Sequence, residues 1–187
     1  MSTQPAVFLD RDGVVNRAEV RNGVPHPPQG LEDFELHAGA VEAVEQLRNA
    51  GFAVVIVTNQ PDVARGDQRL SVVEAMHERV REALQPDSIV VCYHDDGDGC
   101  DCRKPAPGML VAAADDLALD LSVSFMVGDR WRDIDAGRRA GCRTVFVDRG
   151  YAERQPEAPD VVVADLPEAV TWILASSEQK KEEARIA

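Results

Sequence analysis

Ala6-Val7-Phe8-Leu9-Asp10-Arg11-Asp12-Gly13 runs from four apolar residues straight into charge and a glycine. The apolar half reads as a short buried strand. Side chains two apart in extended chain point the same way. Asp10 and Asp12 are therefore expected to share one site, with Arg11 directed elsewhere. Two carboxylates that close repel unless a cation or a proton lies between them. Gly13 lets the chain turn at once. Alone, the stretch fits a solvated strand-to-loop turn as well as it fits a working site.

Further strands are expected at 53–57, 88–91, 124–127 and 143–147, with another at 161–163. Between them lie helical patterns. In 39–50, Val41, Val44 and Leu47 recur at helical spacing and Gly51 stops the run. In 71–84, Val72, Val73, Met76 and Val80 form the inner side, and Pro86 ends it. Helices are also expected at 108–117, 133–140 and 167–175. Residues 17–38, rich in Pro, Gly and His, read as a loop. Strands alternating with amphipathic helices predict an α/β fold: a Rossmann-like parallel sheet with helices on both faces. Residues 1–175 are expected to form one domain, and 176–187 a polar, frayed tail. Ligands of such sheets bind beyond the carboxyl ends of the strands.

Those ends carry chemistry. Thr58-Asn59-Gln60 offers a hydroxyl and amides suited to phosphate oxygens. Arg103-Lys104 offers two cations for a phosphoryl group. Gly128-Asp129-Arg130 is followed by Asp133 and Asp135. Asp129 suits a metal site, and one of the two later carboxylates suits the cap of the next helix. Each signal taken alone also fits an ordinary polar turn or a basic pair at the surface.

Cys92-Tyr93-His94 precedes Cys100-Asp101-Cys102, a Cys-x-His-x5-Cys-x-Cys pattern. Three thiols and one imidazole form a complete tetrahedral set for structural Zn²⁺. The intervening Asp-Asp-Gly-Asp-Gly has no apolar anchor, and a metal at 92–102 would order it. Cys142, His26, His37 and His77 read as structural or exposed.

The chain has 187 residues, 44% of them hydrophobic, and a net charge of −13. That size supports a core without disulfides. The charge argues against a nucleic-acid partner, which would need a basic surface. No stretch approaches the roughly 18 apolar residues of a membrane span, and the N-terminus lacks a secretory pattern. The expectation is a cytoplasmic monomer that acts on a small molecule, with no membrane partner.

In their order, FLDRDGVVN, VTNQ, CRKPAPGM and GDRWRDI resemble the four motifs of the haloacid dehalogenase (HAD) superfamily and place roughly residues 5–150. The resemblance implies a phosphoric monoester hydrolase. Asp10 would be the nucleophile and Asp12 the general acid and base. Thr58, Asn59 and Lys104 would bind the phosphoryl group. Asp10, Asp129 and the backbone carbonyl of Asp12 would hold catalytic Mg²⁺, with Asp133 in support. The cysteine insertion before Arg103 resembles a branch without a large cap domain. That branch holds heptose 1,7-bisphosphate 7-phosphatases and histidinol-phosphate phosphatases. Asn59-Gln60 with Val63-Ala64-Arg65-Gly66 is similar to the heptose pattern, although Asp62 departs from it. The short zinc loop is similar to that of the histidinol phosphatases. The implied reaction is removal of the 7-phosphate of D-glycero-D-manno-heptose 1,7-bisphosphate; by their positions in the sequence, Arg65 would meet the second phosphate and Arg103 the other phosphate or the sugar. Histidinol phosphate, or another small metabolite, is the alternative. A degenerate HAD domain acting as a binding module is the non-enzymatic one.

Overall fold

The computed structural model describes residues 4–186, with side chains to residue 179. Six strands make one parallel sheet: β1 (Ala6–Leu9), β4 (Ala53–Asn59), β5 (Ser88–Cys92), β6 (Phe125–Gly128), β7 (Arg143–Val147) and β8 (Val161–Val163). Their order is β5-β4-β1-β6-β7-β8. The chain builds outward from β1 to β4 and β5, then returns to β1's other side for β6. The order reverses beside β1, so its carboxyl end opens into the crevice where such sheets bind ligands.

Alternation along the strands divides the core. Val7 and Leu9 of β1, with Val54 and Ile56 of β4, pack on one face with Val44, Leu47, Met76, Val80 and Val170. These come from α1 (Ala40–Asn49), α3 (Leu70–Leu84) and α6 (Leu166–Ile186). Ala6, Phe8, Val55 and Val57 pack on the other face with Met109, Leu110, Ala113 and Ala136. Those belong to α4 (Gly108–Leu117) and α5 (Trp131–Ala140). The strands are buried on both sides, which is why they read as unbroken apolar runs. Truncating one such residue, as in Leu9→Ala, costs about 2–5 kcal/mol in cores of this kind.

The structure departs from the sequence reading in three segments. Residues 17–38 are not only loop: β2 (Glu19–Arg21) and β3 (Val24–His26) form an antiparallel hairpin. Its turn is Asn22-Gly23, with φ of 52° and 79°, the positive pair that a tight two-residue hairpin requires. A short helix, α2 (Asp62–Arg65), follows β4. Helix α6 runs to Ile186 instead of ending near Ala175. Its Glu, Lys, Gln and Ala residues favour helix, and no Gly or Pro interrupts them after Pro167.

Candidate active site

The carboxyl ends of β1, β4 and β6 bring Asp10, Thr58 and Asp129 together, and the segment after β5 supplies Lys104. Lys104 is the centre of this group. It is 2% exposed, and its ammonium lies 2.8 Å from Asp10 Oδ1 and 2.6 Å from Asp133 Oδ1. It also donates to the Val57 carbonyl at 2.8 Å. All three donors are in use, and the neighbouring carboxylates keep its pKa above the ordinary value despite burial. Asn59 fixes the backbone there: its Nδ2 donates to the Lys104 carbonyl (3.0 Å) and its Oδ1 accepts from the Lys104 N–H (3.1 Å). Its amide is thus engaged with the lysine's own peptide groups.

Asp10 Oδ1 also accepts the N–H of Arg11 at 2.8 Å. Burial pushes Asp10 up to about 6 against the pull of Lys104, and Asp133 and Asp12 add to the rise. Asp129 is 2% exposed. Both its carboxylate oxygens are buried without a hydrogen bond of good geometry. Burial, then Asp10 and Asp133, raises it well above the carboxylate range, while Tyr151 and Lys104 pull the other way. Ligand atoms of Asp10, Asp129 and Asp133 all lie within 4.8 Å of one another. Three acids around one lysine leave a deficit of positive charge that a divalent cation would fill.

Close approach fixes two glycines here. A Cβ on Gly13 would stand 1.8 Å from Asp129 Oδ2, and φ is +90°. A Cβ on Gly128 would stand 2.0 Å from Asp133 Cβ. Asp133 caps α5 by accepting from the Arg130 N–H at 3.0 Å while it holds Lys104. Asp135 instead pairs with Arg138.

Asp12 lies at the same end, but Arg11 does not point elsewhere. Its guanidinium turns onto Asp12, 2.9 Å from Oδ2. Strand β1 ends at Leu9, so strict alternation no longer governs the charged residues. Asn16 Nδ2 and Gln60 Nε2 donate to Asp12 as well, at 2.9 and 2.8 Å. Gln60 also donates to the Thr58 hydroxyl at 2.9 Å.

These groups open into a cleft of about 260 Å³ lined by Asp10, Asp12, Thr58, Asn59, Arg65, Arg103 and Lys104. Arg65 is held by Asp95 at 2.5 and 3.0 Å. Arg103 pairs with Asp96 at 2.8 Å. Arg130, Arg132 and His26 also line it, and sequence reasoning had assigned none of them to the site. Arg130 and Arg132 stand in the GDRWRDI segment, where the surplus of arginine was a usable signal. His26 arrives on the unforeseen hairpin.

Beside the cleft, the ligand atoms of Cys92, His94, Cys100 and Cys102 lie within 4.8 Å of one another. All three sulfurs are free thiols, and their separations are 3.7, 3.2 and 3.4 Å. His94 Nδ1 is 3.6 Å from Cys92 Sγ and 3.2 Å from Cys102 Sγ. Tetrahedral Zn–S bonds of about 2.3 Å put sulfurs about 3.8 Å apart, so the cage fits Zn²⁺ with a slight expansion.

Residues 101–169 match the family model described as HAD-hydrolase-like. The chain is similar to D-glycero-D-manno-heptose-1,7-bisphosphate 7-phosphatase of Thermosynechococcus vestitus, 40% identical over 91% of this chain and 95% of that protein. It is similar to D-glycero-beta-D-manno-heptose-1,7-bisphosphate 7-phosphatase of Escherichia coli K12, 37% identical over 89% and 93%. Among solved structures it resembles D,D-heptose 1,7-bisphosphate phosphatase of B. bronchiseptica, complexed with magnesium and phosphate. That match has a TM-score of 0.79 and 32% identity, and covers 92% of this chain and 99% of the other.

Proposed function

Because the chain belongs to the HAD-like phosphatases, in the family of the heptose-1,7-bisphosphate 7-phosphatases, we propose that it hydrolyses the 7-phosphate of D-glycero-D-manno-heptose 1,7-bisphosphate. The observation that carries this reading is the buried Asp10–Lys104 pair in the wall of a cleft lined by further arginines. On the same reading the chain works as a single-domain, cytoplasmic monomer.

Asp10 Oδ1 is held by Lys104 Nζ and the Arg11 N–H, which leaves Oδ2 to attack phosphorus. A bond forms from Oδ2 to phosphorus and the ester bond to the sugar oxygen breaks, giving an aspartyl phosphate. Asp12 gives its proton to the departing alkoxide, then takes one from the water that cleaves the intermediate. Thr58 would hold a phosphoryl oxygen, and Lys104 would join it by exchanging one of its present partners for the phosphate, as charge moves onto those oxygens.

The unpartnered oxygens of Asp129 and the raised proton affinity of Asp10 fit a cation. Asp10, Asp129 and the Asp12 carbonyl would hold Mg²⁺, which would offset the repulsion between carboxylate and phosphate. Asp133 supports them through Lys104. Cys92, His94, Cys100 and Cys102 would hold Zn²⁺ as a structural ion. Arg65 and Arg103, which line the cleft, would receive the second phosphate by releasing Asp95 and Asp96.

Asp62 and Asp96 also line the cleft and suit a cationic substrate such as histidinol phosphate. Phosphate release from each substrate, with Mg²⁺ and with EDTA, decides between them. The expected result is at least about a hundredfold higher kcat/KM for the bisphosphate, or about 2.7 kcal/mol. A preference for histidinol phosphate overturns the reading.

A further inference from the structure

Arg11 is fully buried beside the cleft without lining it. Burying a guanidinium costs several kcal/mol unless its donors are matched. Arg11 Nε and Nη2 donate to Asp12 Oδ1 at 3.2 and 3.0 Å, and Nη2 to Asp12 Oδ2 at 2.9 Å. Its Nη1 points the other way, 3.0 Å from His77 Nε2 on α3. We propose that Arg11 and His77 are positioning residues that hold the Asp12 carboxylate in place for proton transfer. This rests on Asp12 being the general acid and base.

The hydrogen-bond pattern fixes the histidine's form. Arginine has donors only. His77 Nε2 must therefore accept, and its proton sits on Nδ1. Burial and the Arg11 charge hold His77 down to about 4, so the ring is neutral near neutral pH. Nδ1 faces Glu74 Oε1 at 3.6 Å. The Tyr93 hydroxyl donates to that same Glu74 oxygen. Tyr93 stands between Cys92 and His94, so the chain of contacts from Asp12 ends in the cysteine-rich loop.

The arrangement leaves Asp12 little freedom. Arg11, Asn16 and Gln60 all donate to its carboxylate, and its side chain stays 16% exposed, on the cleft side, where a proton can be passed. A two-pronged guanidinium sets the plane of a carboxylate as well as its position. His77 in turn contacts the guanidinium, while its Nδ1 approaches Glu74 without closing a hydrogen bond.

The leaving group provides the test. A sugar alkoxide needs Asp12's proton to depart, whereas the phenolate of p-nitrophenyl phosphate does not. The phosphoenzyme, which is the same from either ester, needs Asp12 as base to be hydrolysed. Stopped-flow and steady-state assays compare the wild-type chain with Arg11→Met, His77→Leu and His77→Gln on heptose 1,7-bisphosphate and p-nitrophenyl phosphate. Arg11→Met and His77→Leu are expected to lower kcat on the sugar by about tenfold or more, with KM within about threefold. The first turnover of p-nitrophenyl phosphate should keep its rate and appear as a burst, because hydrolysis of the phosphoenzyme has become limiting. His77→Gln, whose Oε1 can accept from Arg11, should recover most of the sugar rate. Equal first-turnover losses on both esters, or wild-type kinetics in His77→Leu, overturn the proposal. If Arg11→Met does not fold, the two His77 variants decide the matter. Wild-type protein that releases phosphate from neither ester overturns the functional reading beneath it.

Discussion

Lys104 Nζ lies 2.8 Å from Asp10 Oδ1, and both residues are buried. The lysine must also serve Asp133 at 2.6 Å, and Asp129 is close by with no cation of its own. Asp10 is thus under-compensated by the lysine alone.

Asp10→Asn should therefore abolish turnover and stabilise the metal-free protein. Burial raises Asp10 from 3.8 to about 6, so its charge opposes folding above that pH. Relieving it is worth about 3 kcal/mol, roughly 1.4 per pKa unit. The amide Oδ1 can still accept from Lys104. Urea melts in EDTA near neutral pH measure this, and a destabilised Asp10→Asn chain would contradict it. Lys104→Met should do the opposite, costing about 3–5 kcal/mol by stranding two buried carboxylates.

The strand ends were legible because each apolar run stops in charge, and the sheet order then carries Asp10, Thr58, Lys104 and Asp129 to one place. Arg11 was misread because alternation was carried past Leu9, the last residue of β1. His77 lies on the apolar side of α3 and reads as core, which it is. Only its three-dimensional neighbour, Arg11, gives it a further part. The hairpin was missed because two strands of three residues, β2 exposed and β3 containing Pro25, are too short to show a period. The Asn22-Gly23 pair was the available sign.

The cysteine cage should hold about one zinc per chain, measured by elemental analysis of protein prepared without chelators. Cys100→Ser should weaken that binding. It should also raise amide exchange across 92–104, where the chain has only a short 3-10 turn, Asp96–Asp98, between its ligands. Absence of zinc from such preparations would remove the metal's role, as would unchanged exchange in the variant.

Arg65→Ala and Arg103→Ala should separate recognition from chemistry. Each arginine is paired with an exposed carboxylate, Asp95 or Asp96, and such surface pairs contribute at most about 1 kcal/mol to stability. Melting temperatures should shift little. The kcat/KM for the bisphosphate should fall by about tenfold or more in each variant, a loss of about 1.4 kcal/mol. Turnover of p-nitrophenyl phosphate, which has no second phosphate, should stay within about threefold. Parallel losses on both substrates would assign the arginines to the reacting phosphoryl group instead.

His77 should make stability fall as the medium turns mildly acidic. Its ring is buried against Arg11, with Arg81 also opposing protonation and Glu74 and Asp12 favouring it. The balance lowers it from 6.5 to about 4. Above the unfolded value the ring is neutral in both states and its contribution is complete. Between the two values the unfolded chain takes up a proton that the folded chain refuses, so stability falls as pH falls. Full passage through that window is worth about 3 kcal/mol, and about 2 of these should be lost by about pH 5. Other acids titrate in the same range, so the measurement is a difference: urea unfolding of wild type and His77→Gln at about pH 7.5 and about pH 5. The glutamine cannot titrate and keeps an acceptor for Arg11. The stability gap between the two proteins should move by about 2 kcal/mol in the glutamine's favour on acidification. Profiles that stay parallel would mean that His77 can take its proton inside the fold, against the neutral ring that its contact with Arg11 requires.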